Sequence, residues 1–318
     1  MTELMNVIRT TGAGAAADVL VPAVAPRPVP LPTEVLVRVH AAGVNPVDWK
    51  VRSGVFPPGG LGAPPFVQGW DVAGVVESGP RVTRFQPEDE VFGLVWFPRP
   101  GGGYGEYVTA PARQFARKPA ALSFEEAAAL PMAGLTAWQT LAEVAELREG
   151  QRVLITAAAG GVGHLAAQIA GVRGAEVTGT ASAPKHDFLR SVGVDHPVDY
   201  TAGRVSEQVR DQDVVLDLLG GEHTLDLLRT LRPGGLLILA IGQVSPEVAT
   251  RALSLGVRVT PFLVEPDGAG LEALAGLVEA GRLRVHLERV FPLADAAKAH
   301  ELGETDRATG KIVLSVRN

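Results

Sequence analysis

The chain contains no cysteine. Disulfide bonds, thiolate metal sites, iron–sulfur clusters and cysteine nucleophiles are therefore excluded. Positive charge is not in excess either, since 29 lysines and arginines against 35 aspartates and glutamates give a formal net charge of −6. Without a basic stretch, the sequence offers no electrostatic footprint for nucleic acid or for an anionic membrane.

Long hydrophobic runs free of polar residues are missing as well. The least charged window, Val153–Val172, contains His164 and the pair Gly160–Gly161. A glycine turn inside lipid would leave backbone groups without hydrogen-bond partners, so this window does not predict a membrane span. The segment Met1–Arg9 has no long apolar core and does not resemble a signal peptide. We expect a soluble, cytoplasmic protein with no membrane partner.

The length of 318 residues is enough for about two domains. In the first third, Val35, Val37 and Val39 follow the period-two pattern of a half-buried strand. Short apolar runs separated by glycine and proline follow, which is typical of a small barrel or sandwich. From Ser123, whose spacing to Glu126 predicts a capping box, strands and helices alternate. This rhythm predicts an α/β fold with a parallel sheet covered by helices on both faces.

A glycine-rich turn carries the strongest chemical signal. The predicted strand Val153–Thr156 runs into Ala157–Gly163, and the predicted helix His164–Ala170 follows. Glycines let the backbone approach a diphosphate, and a helix N-terminus supplies free amides and partial positive charge. Ala158 replaces the first glycine of the usual dinucleotide fingerprint, while Gly163 would let the helix lie close to the strand. We favour dinucleotide binding over a turn that only connects a strand to a helix.

The end of the next strand indicates which dinucleotide binds. NAD sites usually place a carboxylate there, about 20 residues after the glycines, for the ribose 2′-hydroxyl. Here the strand Val177–Thr180 is followed by Ser182 and Lys185, with no carboxylate at that place. A hydroxyl and an ammonium suit a 2′-phosphate, so the sequence favours NADPH. In the alternative interpretation, Ser182 only caps a helix and Lys185 is a solvated surface residue.

Further motifs occur in order along nearly the whole chain. Together with the glycine turn, they resemble the zinc-free medium-chain dehydrogenases/reductases of the NADPH:quinone oxidoreductase, or zeta-crystallin-like, type. The motifs are Ala42–Lys50 with Asn45, Gly69–Val76 with the pattern Gly-x-Asp-x-x-Gly, Gly105–Tyr107, Leu130–Trp138, Val198–Tyr200 and Gly310–Leu314.

This resemblance implies a GroES-like β-barrel domain made from both chain ends, residues 1–122 and 266–318. It also implies an inserted Rossmann NADP-binding domain, residues 123–265, and NADPH as the cofactor. By position, Gly160, Gly161 and Val162 would hold the diphosphate, and Ser182, Lys185 and Tyr200 would surround the 2′-phosphate. Asn45 and Thr136 would face the nicotinamide, the backbone of Ala240–Gly242 and Phe262–Val264 would border its ring, and Lys311 would close over the cofactor.

The residues that zinc would need are replaced. Zinc-using relatives place a cysteine where this chain has Asn45 and a histidine where it has Trp70. The seven histidines show no metal-ligand spacing. We expect no metal, and without a Lewis acid the enzyme has little means of oxidising an unactivated alcohol.

The reaction that we expect instead is hydride transfer from NADPH. The acceptor would be a quinone or the C=C bond of an α,β-unsaturated carbonyl, and the protein would position it and exclude water. Asn45 could donate a hydrogen bond to a carbonyl oxygen or to the cofactor ribose, or be a turn residue before a proline. Asp48 and Lys50 are further catalytic candidates; in the alternative interpretation, an extended stretch would put them on one face, where they would only pair with each other. Tyr104 is a possible proton donor, and water or a ribose hydroxyl could serve instead.

Other functions stay open at this point. The chain could be a zinc-free alcohol dehydrogenase, an enoyl-thioester reductase, or a catalytically weak NADPH-binding protein. The apolar segment Arg258–Phe262 could be an uncovered edge strand, and such edges tend to pair, so we expect a homodimer.

Overall fold

The computed structural model describes residues 3–55, 63–79, 81 and 83–317. The chain divides into two compact units, one formed by Met1–Leu135 with Glu265–Asn318 and the other by Thr136–Val264. The strands are β1 (Leu4–Thr10), β2 (Leu20–Pro26), β3 (Glu34–Val44), β4 (Asp71–Ser78), β5 (Glu90–Leu94), β6 (Tyr107–Pro111), β7 (Phe115–Arg117), β8 (Arg152–Ile155), β9 (Glu176–Ala181), β10 (His196–Asp199), β11 (Gln212–Asp217), β12 (Leu231–Leu239), β13 (Arg258–Pro261), β14 (Leu287–Pro292) and β15 (Lys311–Ser315).

The described residues form eleven α-helices, the longest of which has twelve residues. The α-helices are α1 (Ala16–Val19), α2 (Pro46–Arg52), α3 (Phe124–Ala128), α4 (Pro131–Trp138), α5 (Gly163–Val172), α6 (His186–Ser191), α7 (Val205–Gln208), α8 (His223–Leu227), α9 (Pro246–Leu255), α10 (Gly268–Glu279) and α11 (Ala296–Gly303). The capping box predicted for α3 is confirmed, because Ser123 and Glu126 exchange hydrogen bonds between side chain and backbone amide. No helix among the described residues has the length and apolarity that a membrane crossing needs.

The first unit is built on a seven-stranded sheet made from both ends of the chain. Its strand order is β14-β15-β3-β4-β5-β7, and β6 also pairs with β3. All of these pairings are antiparallel except β14 with β15. Val35, Val37 and Val39, whose alternation predicted the strand, are completely buried in its core. The predicted GroES-like barrel domain is confirmed.

Residues 123–135 belong with this barrel unit. The amide of Met132 donates to Asp71 at 2.8 Å, and a Cβ added at Gly43 would lie 2.4 Å from the Ala128 carbonyl oxygen. The sequence placed the first domain boundary after residue 122, whereas the structure places it after residue 135. The reason is that α3 packs on β3 and β4, a long-range contact that a local sequence pattern does not reveal.

The second unit holds the predicted parallel sheet. Its strand order is β10-β9-β8-β11-β12-β13, and every pairing is parallel. The chain first adds β9 and β10 on one side of β8 and then β11, β12 and β13 on the other. In such a Rossmann sheet, ligands bind outside the carboxyl ends of the strands, where the order reverses. The reversal lies between β8 and β11.

Candidate active site and cofactor site

The glycine turn joins the carboxyl end of β8 to the N-terminus of α5. Within the turn, the Gly160 amide donates to the Ala157 carbonyl at 2.8 Å, and the Gly160 carbonyl accepts from the amide of His164 at 3.1 Å. In the part of the chain that the structure describes, the amides of Gly161 and Val162 donate to no backbone carbonyl. Free amides at the start of a ten-residue helix form an anion site.

Close packing explains two residues of the turn. A Cβ at Gly163 would lie 2.4 Å from the Ala157 carbonyl oxygen and 2.6 Å from Cα of Ala158, so only glycine fits. Ala158, which replaces a fingerprint glycine, is itself fully buried. Its methyl group has room because the neighbouring position on β9 is Gly179, where a Cβ would lie 2.8 Å from that methyl. The missing glycine of the fingerprint is thus compensated on the adjacent strand.

The other cofactor residues predicted in the second unit all lie just beyond the carboxyl ends of its strands. Ser182 and Lys185 follow β9, Tyr200 follows β10, Ala240 and Gly242 follow β12, and Phe262 and Val264 follow β13. Backbone bonds hold two of these segments, since the Ala240 amide donates to Asp217 at 3.0 Å and the Phe262 amide donates to Leu239 at 2.9 Å. Thr136 stands apart in α4, where its carbonyl accepts from the Thr140 hydroxyl at 2.6 Å.

The loop after β11 belongs to the same edge of the sheet, and the sequence reasoning missed it. Asp217 ends β11 and is completely buried. Its carboxylate accepts hydrogen bonds from the amides of Leu219 and Gly220, both at 3.0 Å, and from the Thr224 hydroxyl at 2.7 Å. The sequence contains a signal for this loop, because the predicted strand ends in an aspartate and the pair Gly220–Gly221 follows shortly after it.

In the barrel unit, three polar side chains from distant parts of the chain are bonded to one another. Asn45 Nδ2 donates to Asp71 Oδ2 at 2.8 Å, and the Lys311 ammonium donates to Asn45 Oδ1 and, at 3.1 Å, to the Val44 carbonyl. Lys311 also lies 3.6 Å from Asp71 Oδ2. Asn45, Asp71 and Lys311 are each at most 3% exposed. We call these three residues the Asn45 cluster.

Asp48 and Tyr104 border this cluster. Asp48 sits in the first turn of α2, and its Oδ2 accepts from the Asn45 backbone amide at 2.7 Å. The Tyr104 hydroxyl lies beside Asp48 and 3.1 Å from Nε2 of His300. Gln68 completes the group, with its amide nitrogen 3.4 Å from the Asp48 carbonyl. Asp48, Gln68, Tyr104 and His300 are completely buried.

Burial dominates the ionisation of these groups. It raises the pKa of Asp48 to about 8, with the negative charge of Asp71 adding to the effect. Burial likewise raises the pKa of Asp71 and lowers that of Lys311, although each partly offsets the shift in the other. It lowers the pKa of His300 to about 3, so this imidazole is neutral at physiological pH. The pKa of Tyr104 is raised far above its ordinary value.

The structure therefore brings together four of the residues predicted in the barrel unit: Asn45, Asp48, Tyr104 and Lys311. Lys50 is not among them. The condition for a pairing of Asp48 with Lys50, an extended stretch, is not met, because residues 46–52 form a helix and positions two apart on a helix face different sides. The expectation that Lys311 closes over a cofactor stays a prediction, and in the structure its ammonium donates to Asn45 and to the Val44 carbonyl inside the barrel unit.

Sequence reasoning also missed Asp71, Gln68 and His300. Asp71 is the aspartate of the Gly-x-Asp-x-x-Gly pattern, but the sequence pattern assigned it no role. Its position at the start of β4, opposite Gly43 of β3, places it next to Asn45. His300 carries no sequence signal, because it lies on α11, more than 190 residues from Tyr104 along the chain.

The donor groups at this place do not fit zinc. Among the described residues, no three His, Cys, Asp or Glu side chains form a group that could hold a metal ion. Trp70 stands where zinc-using relatives have a histidine, and its indole N–H donates to the Arg99 carbonyl at 2.6 Å. Asn45 has both ends of its amide engaged. Zinc requires three or four N, S or O ligands aimed at one point.

Two protein families match separate parts of the chain. The family described as "Alcohol dehydrogenase GroES-like domain" matches residues 31–120, and the one described as "Zinc-binding dehydrogenase" matches residues 192–314. The first match lies in the barrel unit, and the second covers the later strands of the parallel sheet and the C-terminal segment.

Several relatives match most of the chain. The chain is 32% identical to the NAD(P)H oxidoreductase RTN4IP1, mitochondrial, of Danio rerio, over 90% of this chain and 84% of that protein. It is 36% identical to the 2-methylene-furan-3-one reductase of Solanum lycopersicum, over 88% of this chain and 71% of the relative. The solved quinone oxidoreductase of Coxiella burnetii is 34% identical and superposes with a TM-score of 0.92, covering 99% of this chain and 100% of that one.

These relatives share an oxidoreductase activity, and the anion site at the start of α5 fits the diphosphate of their kind of cofactor. The chain belongs to the zinc-independent, quinone oxidoreductase-like medium-chain dehydrogenases/reductases, and it is an NAD(P)H oxidoreductase acting on small molecules.

Proposed function

We propose that this protein is an NADPH-dependent reductase that transfers a hydride, without zinc, to quinones or to the C=C bond of α,β-unsaturated carbonyls. The observation that carries the NADPH preference is the end of β9, where Ser182 and Lys185 stand in place of a carboxylate. Relatives named as a quinone oxidoreductase and as a 2-methylene-furan-3-one reductase support the two substrate classes.

The local geometry at β9 favours a 2′-phosphate over a 2′-hydroxyl. The Ser182 side chain makes no capping hydrogen bond to the turn that follows, which argues against the interpretation of this residue as a simple helix cap. Lys185 is half-buried rather than fully solvated. On the neighbouring strand β10, the Asp199 carboxylate accepts hydrogen bonds from the Thr201 amide and hydroxyl at 2.8 and 2.7 Å.

When bound, the nicotinamide cofactor supplies the hydride. The residues of this chain then have three tasks. The amides of Gly161 and Val162 and the N-terminus of α5 bind the diphosphate. Asn45 donates a hydrogen bond to an oxygen of the substrate or of the cofactor ribose. The buried surroundings of Asn45 keep water away from that bond and so strengthen it.

The NADPH preference is tested with Lys185→Ala. If Lys185 contacts the 2′-phosphate, the substitution weakens NADPH binding by about 1–3 kcal/mol, the size of a charge-assisted hydrogen bond, and leaves NADH binding nearly unchanged. Calorimetric titration of both nucleotides measures the two affinities. Lys298→Ala serves as the control, since Lys298 is an exposed lysine paired with Asp295 in the other unit.

Equal losses for NADPH and NADH, or a wild-type protein that binds both equally well, would refute the assignment of the 2′-phosphate. The substrate class is tested separately with a panel of quinones and conjugated enones, following NADPH oxidation by absorbance. Tight cofactor binding without turnover of any member of the panel would contradict the proposed reductase activity.

A further inference from the structure

The Asn45 cluster is more than a buried ion pair, because it decides which way the Asn45 amide points. An ammonium group can only donate hydrogen bonds, and an ionised carboxylate can only accept them. Lys311 therefore must face the amide oxygen of Asn45, and Asp71 must face the amide nitrogen, as the structure shows. The opposite orientation would set two donors against each other on one side and two acceptors on the other.

A count of hydrogen bonds shows which donors and acceptors of the Asn45 side chain are still unused. Asn45 Nδ2 carries two hydrogens, and one of them is used by Asp71. The amide oxygen is occupied by Lys311. The Lys311 ammonium has an acceptor for each of its three N–H donors, because it faces the Val44 carbonyl, Asn45 and Asp71. The one strong donor that remains uncommitted in this cluster is the second N–H of Asn45.

We propose that Lys311 is a positioning residue which, together with Asp71, locks the Asn45 amide so that it presents only an N–H donor to a bound ligand. This inference rests on the proposed function, which places Asn45 against the substrate or the cofactor ribose. The ligand atom at Asn45 must then be a hydrogen-bond acceptor, as the carbonyl oxygen of a quinone or an enone is. Lys311 acts through Asn45 and does not itself bind the cofactor.

Two substitutions of Lys311 separate this role from a direct role of its charge. Lys311→Gln and Lys311→Met remove the same charge and leave side chains of similar size, but only glutamine can donate to the Asn45 oxygen. We expect Lys311→Met to lower kcat by about 100-fold, the scale of a misplaced contact. Lys311→Gln should recover most of that loss, and neither substitution should change the Kd for NADPH.

The orientation of the amide can be read without any activity. Asparagine occurs only at Asn6, Asn45 and Asn318, so selective ¹⁵N-asparagine labelling gives three side-chain amide signals. Loss of one signal in Asn45→Ala assigns it, and the exposed Asn6 is an internal reference. The Asn45 signal should keep its shift in Lys311→Gln and move in Lys311→Met.

Both substitutions leave Asp71 buried without its cation, which can destabilise the fold. The same pair is therefore also made together with Asp71→Asn, which removes the unpaired charge while retaining an acceptor for Asn45. The difference between glutamine and methionine at position 311 should persist in that background.

The proposal is overturned if the Asn45 signal responds alike to both substitutions, or if both weaken NADPH binding equally with kcat unchanged. The second result would assign Lys311 to the cofactor. A wild-type protein that reduces no quinone or enone would contradict the proposed function instead, and the amide signals would still decide whether Lys311 orients Asn45.

Discussion

Asp48 shows how position alone changes the chemistry of a residue. It lies in the first turn of a short helix, where its carboxylate caps the Asn45 amide, yet its side chain is completely buried. Burial raises the pKa of Asp48 to about 8, and the nearby negative charge of Asp71 adds to the shift. The Asn45 amide, Lys311 and Tyr104 oppose it. Asp48 is therefore protonated in the folded protein at neutral pH.

The stability of the protein should depend on pH through this residue. The unfolded chain releases the Asp48 proton near pH 4, whereas the folded protein holds it until about pH 8. The stabilising contribution is therefore complete below pH 4 and is lost as the pH rises through 8, by on the order of 5 kcal/mol at most. Asp48→Asn should remove this part of the slope. Urea unfolding at several pH values from 5 to 9 measures it.

The matched control for this experiment is Asp187→Asn, because the Asp187 side chain is fully exposed. That substitution should leave the dependence of stability on pH unchanged. If Asp48→Asn and the wild type lose stability in parallel as the pH rises, then Asp48 is ionised in the folded protein and the assignment of its proton is wrong.

At the scale of elements, the junction of β8 and α5 is where packing and binding meet. Gly163 is the first residue of α5, and its missing Cβ lets the helix approach the turn that bears the free amides. Gly171, the last residue but one of the same helix, has no atom within 4 Å of its Cβ position apart from the helix's own backbone. Both glycines are helical, but only Gly163 lies where a side chain would clash with its surroundings.

This difference predicts opposite effects of the same substitution. Gly163→Ala forces a methyl group against the Ala157 carbonyl, so it should destabilise the protein by about 1–3 kcal/mol and weaken NADPH binding. Gly171→Ala should be neutral or stabilise by up to about 1 kcal/mol, because alanine favours a helix. Denaturant unfolding and nucleotide titration of both variants provide the test. Equal behaviour of the two variants would mean that the turn does not depend on the close approach at Gly163.

At the scale of the whole molecule, the parallel sheet of the second unit ends at β13. Among the described residues, β13 pairs with β12 on one side and with no strand on the other. Leu263, two residues beyond β13, is 54% exposed. An unpaired edge beside an exposed apolar residue favours association, so we propose that a homodimer forms through this edge.

Leu263→Asp should therefore convert a dimer into a monomer. Leu4→Asp is the matched control, since Leu4 is 66% exposed on β1 of the other unit. Light scattering coupled to size exclusion measures both masses. A monomeric wild type, or a Leu263→Asp variant that stays dimeric, would contradict an interface at β13.

The sequence by itself determined most of the architecture. Local patterns were sufficient for the strand that contains Val35, for the capping box at Ser123 and for the glycine turn before α5. Each depends on residues within a few positions of one another, so the physical cause is present in a short segment. The resemblance to a family added the prediction that one domain is inserted into the other. The predicted first boundary lies thirteen residues before the one in the structure.

Only the tertiary structure decided the chemistry of the barrel unit. Residues 45, 71 and 311 come together because β15 pairs with β3, which sets Ile312 opposite Val44, and β3 pairs with β4, which sets Gly43 opposite Asp71. The register between strands far apart in the chain cannot be read from any one of them. The same applies to burial, which makes Asp48 a neutral acid and commits Lys311 to Asn45, because desolvation depends on every element packed around a side chain.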